Sequence, residues 1–370
     1  MKVGIPREIK NHEYRVACTP GGVHEFTRRG HRVLVETGAG GGSSISDTDF
    51  AQAGATIVAT ADDVWAEADL VCKVKEPVSE EYHRMRAGQT LFTYLHLAAS
   101  RPCTDALRAS GTTAIAYETV QAPDGSLPLL APMSEVAGRL APQVGAHHLM
   151  RQGGGRGVLM GGVSGVHAAK VVIIGAGVAG QNSAAIAMGM QAEVLLLDRS
   201  VAALRRVDAI YQGRCQTIAA NAYEIERAVL DADLVIGAVL VPGSAAPSLV
   251  SNELVSRMKS GSVLVDISID QGGCFEDSRP TTHDDPTFAI HRSVFYCVAN
   301  MPGAVPHTST YALTNVTLPY ALQLADRGWV DACRADPALA LGLNVHDGQV
   351  TNSAVGAAHG YPVTPISEVV

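Results

Sequence analysis

The 370-residue sequence has no long apolar run, no cysteine pair with CxxC spacing and no excess of positive charge. Its hydrophobic runs are interrupted by glycine or a charged residue within about eight residues, whereas a membrane-spanning helix needs about 20. The N-terminus also lacks an apolar segment of signal-peptide length. We therefore expect neither a membrane span nor a secretory signal, and the predicted location is the cytoplasm.

Cysteine usage and charge exclude further classes. The seven cysteines are odd in number and scattered, which indicates reduced and mostly buried thiols rather than a disulfide framework or a structural zinc site. No cluster of ligand residues predicts any other bound metal. The formal net charge of -8 offers no basic surface to nucleic acid or to an anionic membrane. Hydrophobic residues make up 47% of the chain, which is enough for the cores of two domains.

In the first third of the chain, short apolar runs alternate with helical patterns. The runs predict strands at His31–Val35, Thr56–Val58, Leu70–Val74, Thr90–Leu95 and Thr113–Tyr117. The patterns between them predict helices at Gly21–Arg29, Asp47–Ala53, Ser79–Arg86 and Cys103–Ser110. Such alternation is typical of a mostly parallel sheet with helices on both faces.

A second alternating series begins near residue 170. Its strands are predicted at Lys170–Ile174, Glu193–Leu197, Cys215–Ala219, Leu234–Ala238, Val263–Ile267 and Phe295–Val298. Its helices are predicted from Gly177 to about Met190, at Ala222–Leu230 and at Asn252–Lys259. This is the pattern of a complete doubly wound dinucleotide-binding domain.

Two helical segments, Ser134–Arg151 and Ser309–Arg327, are predicted to connect the domains. The predicted fold class is therefore α/β with two doubly wound domains, in which a Rossmann NAD-binding domain is inserted into a discontinuous catalytic domain. The predicted boundaries are 1–129 and 307–370 for the catalytic domain and 130–306 for the Rossmann domain. Pro142 is expected to kink or locally break the first connecting helix. The tail from about residue 330 has no clear pattern.

The most informative motif is Gly175-Ala176-Gly177-Val178-Ala179-Gly180, which follows the apolar run Val171–Ile174 and opens a helix. The first glycine permits a tight turn, the second lets the backbone approach a pyrophosphate, and the third allows close packing of helix on strand. Asp198 ends the next strand, where an acid accepts hydrogen bonds from ribose hydroxyls and repels the additional phosphate of NADP. A glycine-rich turn that binds nothing would not need all these elements in register, so NAD is the predicted cofactor.

Ligands of a doubly wound sheet lie beyond the carboxyl ends of its strands. In the second domain this rule selects Ala220, Val239, Leu240, Ile267, Asp270, Val298, Asn300 and Met301. Asp270 stands out because it follows a buried strand on a loop where a nicotinamide would lie. A solvated loop aspartate is an equally good interpretation from position alone.

The same rule selects Lys75 and His96 in the first domain, because each follows a predicted strand. Hydride transfer from an amine needs a proton acceptor, and histidine titrates in the right range. Most histidines in proteins are structural or exposed, and it is the strand-end position that distinguishes His96. Arg15, which precedes the first helix, can hold a carboxylate in two parallel hydrogen bonds, although from its position alone a surface role fits better.

Seven ordered motifs resemble those of bacterial L-alanine dehydrogenases, over residues 1 to about 330. They are Gly4–Glu8 with Asn11–Pro20, Lys73–Pro77, Phe92–Leu97, Ala131–Gly138, Gly157–Gly162, Val265–Phe275 and Asn300–Pro306. Two positions depart from the usual pattern, namely Ser164, where proline is common, and Pro142 within a helical stretch. Neither belongs to a proposed catalytic group, so the departures concern local packing.

The resemblance implies reversible, NAD-dependent conversion of L-alanine and water into pyruvate and ammonium. It assigns His96 as proton donor and acceptor, and Asp270 to the water and the carbinolamine. Arg15 and Lys75 would hold the substrate carboxylate and carbonyl oxygen. Ser134 and Asn300 would lie near the cofactor. A homohexamer is the assembly that the resemblance implies.

Three alternatives stay open at this point. The NAD-binding subunit of a proton-translocating transhydrogenase shares the two-domain plan, but it has no use for a substrate acid–base pair such as His96 and Asp270. A non-catalytic NAD-sensing module could have lost these two residues, and both are present. Reductive amination of glyoxylate would use the same residues as that of pyruvate, since one methyl group is worth only about 1–3 kcal/mol in a pocket.

Overall fold

The computed structural model describes residues 1–239 and 246–370. They form two compact units, of which unit 1 comprises residues 1–133 and 305–370 and unit 2 comprises residues 134–304. Within the described ranges, no helix combines the length and the apolar character that crossing a membrane requires.

The strands follow one another along the chain as β1 (Lys2–Ile5), β2 (Arg32–Glu36), β3 (Thr56–Val58), β4 (Leu70–Cys72), β5 (Thr90–Thr93), β6 (Thr113–Ala116), β7 (Lys170–Ile174), β8 (Glu193–Asp198), β9 (Gln216–Ala219), β10 (Leu234–Gly237), β11 (Val263–Asp266), β12 (Thr287–Ile290), β13 (Ser293–Tyr296), β14 (Leu343–His346) and β15 (Gln349–Val350).

The α-helices are α1 (Pro20–Arg28), α2 (Asp47–Gln52), α3 (Ala61–Glu67), α4 (Arg101–Ser110), α5 (Ala131–Leu149), α6 (Val178–Gly189), α7 (Val201–Tyr211), α8 (Ala222–Asp231), α9 (Asn252–Arg257), α10 (Pro306–Arg327), α11 (Trp329–Ala335), α12 (Pro337–Ala340), α13 (Ser353–His359) and α14 (Ile366–Val369). Short 3₁₀ helices occur at Gly41–Ser43, Ser79–Arg84, Leu97–Ala99, Tyr117–Thr119, Arg151–Gly153, Ile267–Gln271 and Met301–Ala304.

Unit 1 contains an eight-stranded sheet with the order β15-β14-β6-β5-β4-β1-β2-β3. The six strands β1 to β6 are parallel, and β14 and β15 add to them in antiparallel fashion. Strand order reverses between β1 and β4, so the crevice beyond their carboxyl ends is where a doubly wound sheet binds ligands.

Unit 2 contains a seven-stranded sheet with the order β12-β13-β11-β10-β7-β8-β9, and its strands are parallel except for β12. Its central strands are buried on both faces. In β7, for example, Ile173 belongs to the hydrophobic cluster on one face and Val172 to that on the other. This double burial is why such strands are continuous β-branched runs rather than alternating ones. The predicted α/β class, with two doubly wound sheets and a first unit formed from two separate stretches of the chain, is confirmed.

The structure corrects three local predictions. The segment predicted as a helix at Ser79–Arg86 is a 3₁₀ helix at Ser79–Arg84. The tail, to which no structure was assigned, supplies β14, which pairs with β6. Helix α5 continues through Pro142, so the predicted local break is wrong. Proline removes the amide that would bond to the Gly138 carbonyl, and the Ser183 hydroxyl donates to that carbonyl instead, at 2.9 Å.

Candidate functional site

The glycine loop of unit 2 follows β7 and leads into α6. Gly175 has a φ of +113°, and a Cβ there would meet the carbonyl of Ala238. A Cβ at Gly180 would overlap the carbonyl oxygen of Gly175, so the third glycine is needed for close packing. Gly177 is the N-cap of α6, has no side-chain cap, and has no atom within 4 Å of a Cβ built on it. Open backbone at a helix N-terminus is what a pyrophosphate requires, and Val178 and Ala179 form the first turn behind it.

Asp198 is held against this loop. It is the last residue of β8, and its Oδ2 accepts a hydrogen bond from the Ala176 amide at 2.7 Å. Its Oδ1 accepts one from the Ser200 amide at 2.7 Å, and the Ala220 amide donates to its backbone carbonyl. The carboxylate is therefore fixed beside the loop and only partly buried, which fits an acceptor for ribose hydroxyls. The residues of this loop thus fit NAD.

The loop after β11 carries Asp270. The 3₁₀ helix Ile267–Gln271 begins at Ile267, and Asp270 is exposed upon it. The Ser268 hydroxyl donates to the carbonyl of Val239, which follows β10, at 2.7 Å. The loop is thereby joined to the neighbouring strand end. Leu240, the next predicted cofactor contact, lies outside the described residues.

Asp266 fixes the loop that carries Asp270. It is fully buried at the end of β11 and accepts hydrogen bonds from the amides of Ser268 and Cys274 and from the hydroxyl of Ser278. Burial raises the pKa of this carboxyl, and these hydrogen bonds offset only part of that effect. A carboxylate with three donors along one loop fixes the loop's path.

The other predicted cofactor residues of unit 2 differ in how far their side chains are buried. Val298 and Met301 are buried in the hydrophobic core, so only their backbone can face a ligand. Asn300 has a φ of +68°, and its carbonyl lies 3.2 Å from the His283 ring nitrogen Nε2. Ser134 is half-buried in the first turns of α5.

In unit 1, Arg15 is buried and forms an ion pair with Glu13. Its Nε donates to Glu13 Oε1 at 2.7 Å and its Nη2 donates to Glu13 Oε2, and both side chains are at most 2% exposed. Burial alone would raise the pKa of the Glu13 carboxyl, but the charge and hydrogen bonds of Arg15 hold it below the ordinary value. The surface role suggested for Arg15 by its position alone is therefore wrong.

Lys75 and His96 follow β4 and β5 at the same edge of the sheet. Lys75 is 8% exposed, and Glu13 interacts electrostatically with both Lys75 and Arg15. Glu76 interacts in the same way with both Lys75 and His96. Unit 1 thus gathers the three residues, while Asp270 and the dinucleotide loop belong to unit 2.

His96 lies in the left-handed region, with a φ of +49°. Its amide donates to Glu118 Oε1 at 2.6 Å, and its ring stacks on Tyr94 with centroids 5.9 Å apart. Tyr94 is itself fixed by a hydrogen bond from its hydroxyl to the Leu129 carbonyl. A histidine oriented in this way can exchange a proton with a substrate bound at the strand ends.

Sequence reasoning missed the carboxylates that support these groups, namely Glu8, Glu13, Glu81, Glu118 and Asp266. For Glu8 a signal was present, because Gly4–Glu8 is one of the family-like motifs. The strand that ends just before it has only four residues and was not predicted. Glu13 and Asp266 also lie within such motifs, Asn11–Pro20 and Val265–Phe275. Glu81 and Glu118 lie in none of the motifs, and only their contacts in the fold reveal their roles.

Comparisons with known proteins agree on one family. Its N-terminal model, described as "Alanine dehydrogenase/PNT, N-terminal domain", matches residues 4–137, and the corresponding C-terminal model matches residues 141–353. An alanine dehydrogenase of Mycolicibacterium smegmatis is 66% identical over 368 residues, which is 100% of this chain and 99% of that protein.

Two solved structures are similar over nearly the whole chain. One named L-alanine dehydrogenase is 50% identical, with a TM-score of 0.94 over 97% of this chain and 99% of that one. A transhydrogenase from Sinorhizobium meliloti is 27% identical, with a TM-score of 0.80 over 96% of this chain and 100% of that one. The identities are therefore higher to the dehydrogenases than to the transhydrogenase.

Proposed function

The chain belongs to the alanine dehydrogenase/PNT family, and we propose that it catalyses the reversible, NAD-dependent oxidative deamination of L-alanine to pyruvate and ammonium. The observation that carries the proposal is the grouping of Arg15, Lys75 and His96 at one edge of the unit 1 sheet. A transhydrogenase subunit passes hydride between cofactors and needs no such group.

Arg15 and Lys75 bind the substrate's negative charge in this proposal. Glu13 fixes the Arg15 guanidinium along its Nε–Nη2 edge. A substrate carboxylate would be met by the Nη1–Nη2 edge, where Nη1 lies 3.0 Å from the Met133 sulfur. The Lys75 ammonium would stabilise the charge that develops on the carbonyl oxygen. Both cations are nearly buried, which strengthens their electrostatic contribution.

His96 and Asp270 move protons and orient water. In the oxidative direction His96 would accept a proton from the water that attacks the imine carbon and donate one to the carbinolamine amino group as ammonia leaves. In the reverse direction it would protonate the carbinolamine hydroxyl, which leaves as water. Asp270 would hold the attacking water and the carbinolamine. Its exposure on a short 3₁₀ helix supports such a role, because an exposed carboxylate is accessible to a ligand.

NAD, when bound, accepts the hydride from the alanine Cα. The chain's own contribution is to hold it, through Gly175, Gly177 and Gly180 at the pyrophosphate and Asp198 at the adenosine ribose. Further contacts are proposed for Ser134, Val178, Ala179, Ala220, Val239, Leu240, Ile267, Asp270, Val298, Asn300 and Met301.

The proposal is tested by following NADH oxidation with ammonium and pyruvate. We expect turnover that requires both, and much slower turnover with NADPH. Faster turnover with glyoxylate than with pyruvate would identify glyoxylate, the smaller keto acid, as the preferred substrate. No turnover of either keto acid would overturn the dehydrogenase proposal, and hydride exchange between nicotinamide dinucleotides alone would favour the transhydrogenase alternative.

We also propose that the protein is a homo-oligomer, a hexamer by family resemblance. Supporting this, the segment between α5 and β7 exposes Leu159, Val163 and Val166, each more than 60% accessible. Three exposed aliphatic side chains in one short segment are unusual for a monomer and fit contact with a second copy. Light scattering of the wild type and of Val163→Asp is the test, and a monomeric wild type would refute the assembly.

The cytoplasm remains the proposed location. All seven cysteines are free thiols and buried, which fits a reducing compartment. Cell fractionation with an antibody against the chain would test it.

A further inference from the structure

The switch point of the unit 1 sheet is bridged by a buried carboxylate. Strand order reverses between β1 and β4, and Glu8 follows the first of these strands while Lys73 and Lys75 follow the second. In unit 2 the equivalent position, after β7, is the glycine loop with open space at Gly177. In unit 1 the Glu8 side chain, 3% exposed, reaches from one strand end to the other.

Glu8 binds the backbone that carries Lys75. Its Oε1 accepts a hydrogen bond from the Val74 amide at 2.6 Å and a longer one from the Lys75 amide at 3.4 Å. Its Oε2 accepts one from the Lys73 ammonium at 3.1 Å. One carboxylate thus contacts three consecutive residues, the last of which is the proposed substrate ligand.

Glu8, Lys73 and Glu81 form what we call the carboxylate clamp, which also holds the backbone that follows Lys75. The fully buried Lys73 ammonium also donates to Glu81 Oε1 at 2.9 Å, and Glu81 Oε2 accepts from the Val78 amide at 3.0 Å. The hydroxyl of Thr93, at the end of β5, donates to the Lys75 carbonyl at 3.0 Å. Backbone groups before, at and after Lys75 are therefore all held by buried side chains.

Burying these charged groups costs free energy, and a purely structural element would gain little from it. Burial raises the pKa of Glu8, and the nearby Lys73 charge lowers it only in part. Buried ion networks generally stabilise a fold no better than apolar residues of the same size. Their fixed geometry, in contrast, is useful where a charged group must be held at a set position.

We propose that Glu8, supported by Lys73 and Glu81, is a positioning residue that acts on substrate binding through Lys75. The inference rests on the proposed function in one respect, namely that Lys75 binds the keto acid. It adds that the affinity for the keto acid depends on the carboxylate clamp, and that this dependence passes through the Lys75 side chain.

The test is a double-mutant cycle on pyruvate binding. Calorimetry gives the Kd of pyruvate for the NADH-saturated protein without ammonium, so that no amination occurs. The variants are Glu8→Gln, Lys75→Ala and the double variant. Thr93→Val removes the hydrogen bond to the Lys75 carbonyl without changing any charge. It is the second variant, for use if Glu8→Gln does not fold. Thr112→Val is the matched control, since Thr112 is equally buried and its hydroxyl also donates to a backbone carbonyl, that of Arg86 at 3.1 Å.

We expect Glu8→Gln to raise the Kd of pyruvate about tenfold and Thr93→Val about threefold. The control should change it less than about twofold, and NADH affinity should stay within about twofold in all of them. When Lys75 is already replaced by alanine, adding Glu8→Gln or Thr93→Val should raise the Kd of pyruvate by less than about twofold.

Two results would overturn the proposal. One is a pyruvate Kd that is unchanged in both Glu8→Gln and Thr93→Val while their melting temperatures fall, which is what a structural role predicts. The other is an equal loss of affinity with and without the Lys75 side chain. A wild type that binds no pyruvate and turns over no alanine would instead refute the proposed function, and it would do so before any variant is compared.

Discussion

The Ser183 hydroxyl donates a 2.9 Å hydrogen bond to the backbone carbonyl of Gly138, and both groups are buried in unit 2. The bond replaces the one that Pro142 cannot make within α5. Gly138 also brings the helix so close to Ala179 that a Cβ would overlap the Ala179 carbonyl. A helix with an internal proline therefore packs directly on the first turn of the helix that follows the glycine loop.

Ser183→Ala should destabilise the protein by about 1–2 kcal/mol, because it leaves the Gly138 carbonyl buried without a donor. Melting temperature measures the loss. Pro142→Ala restores an amide to the helix, so the serine substitution should cost less in that background. If Ser183→Ala lowers the melting temperature equally with and without Pro142→Ala, the Ser183 hydroxyl does not replace the hydrogen bond that Pro142 cannot make.

Asp198→Asn should weaken discrimination against NADP, since the negative charge beside the ribose is removed while the shape is kept. We expect the ratio of kcat/KM for NADH over NADPH to fall at least tenfold, about 1.4 kcal/mol. Asp208→Asn, at an exposed position on α7, is the matched control. An unchanged ratio would remove Asp198 from the ribose site.

Glu13→Gln should lower stability in a pH-dependent manner. The pKa of Glu13 is below its ordinary value of 4.5 in the folded protein because of Arg15, so the pair contributes fully above pH 4.5 and less as the pH falls through the folded-state pKa. The gap in melting temperature between wild type and variant should be widest near neutral pH and narrow below about pH 4.5. Glu25→Gln, which breaks the exposed pair with Arg28, should show little gap at any pH. A gap for Glu13→Gln that does not change with pH would contradict the charged pair.

His96→Ala should lower kcat by at least about a hundredfold while NADH still binds, because the proton acceptor is lost and the dinucleotide loop is untouched. NADH fluorescence measures the binding. His24→Ala, on the exposed face of α1, is the control and should keep wild-type rates. Near-normal turnover in His96→Ala would remove His96 from its role.

The parts that sequence could predict are local. The glycine loop, the strand before it and Asp198 lie within about 30 residues, a span typical of one βαβ unit, and each carries its own signal. Lys75 and His96 were found because they follow strands whose apolar runs are clear. The unit 1 strand β1 was not predicted because its apolar run Val3–Ile5 is interrupted by Gly4 and followed by Pro6. Strand β14 was not predicted because its place in the sheet depends on pairing with β6.

The supporting carboxylates could not be predicted for a related reason. Glu8 is 66 residues from the Val74 amide that it binds, and Glu118 is 22 residues from the His96 amide. Asp266 contacts Cys274 and Ser278 only because the loop between them turns back on itself. Glu8 and Asp266 lie within family-like motifs, but the amides and hydroxyls that these carboxylates bind are set by the folded topology and have no periodic signal.

The stoichiometry of the oxidative reaction tests the proposed deamination of alanine most directly. Purified protein with L-alanine and NAD should produce NADH, pyruvate and ammonium in equal amounts, and the reaction should stop when alanine is omitted. NADH formation without ammonium release, or no NADH formation from alanine, would show that the protein does not deaminate alanine with NAD.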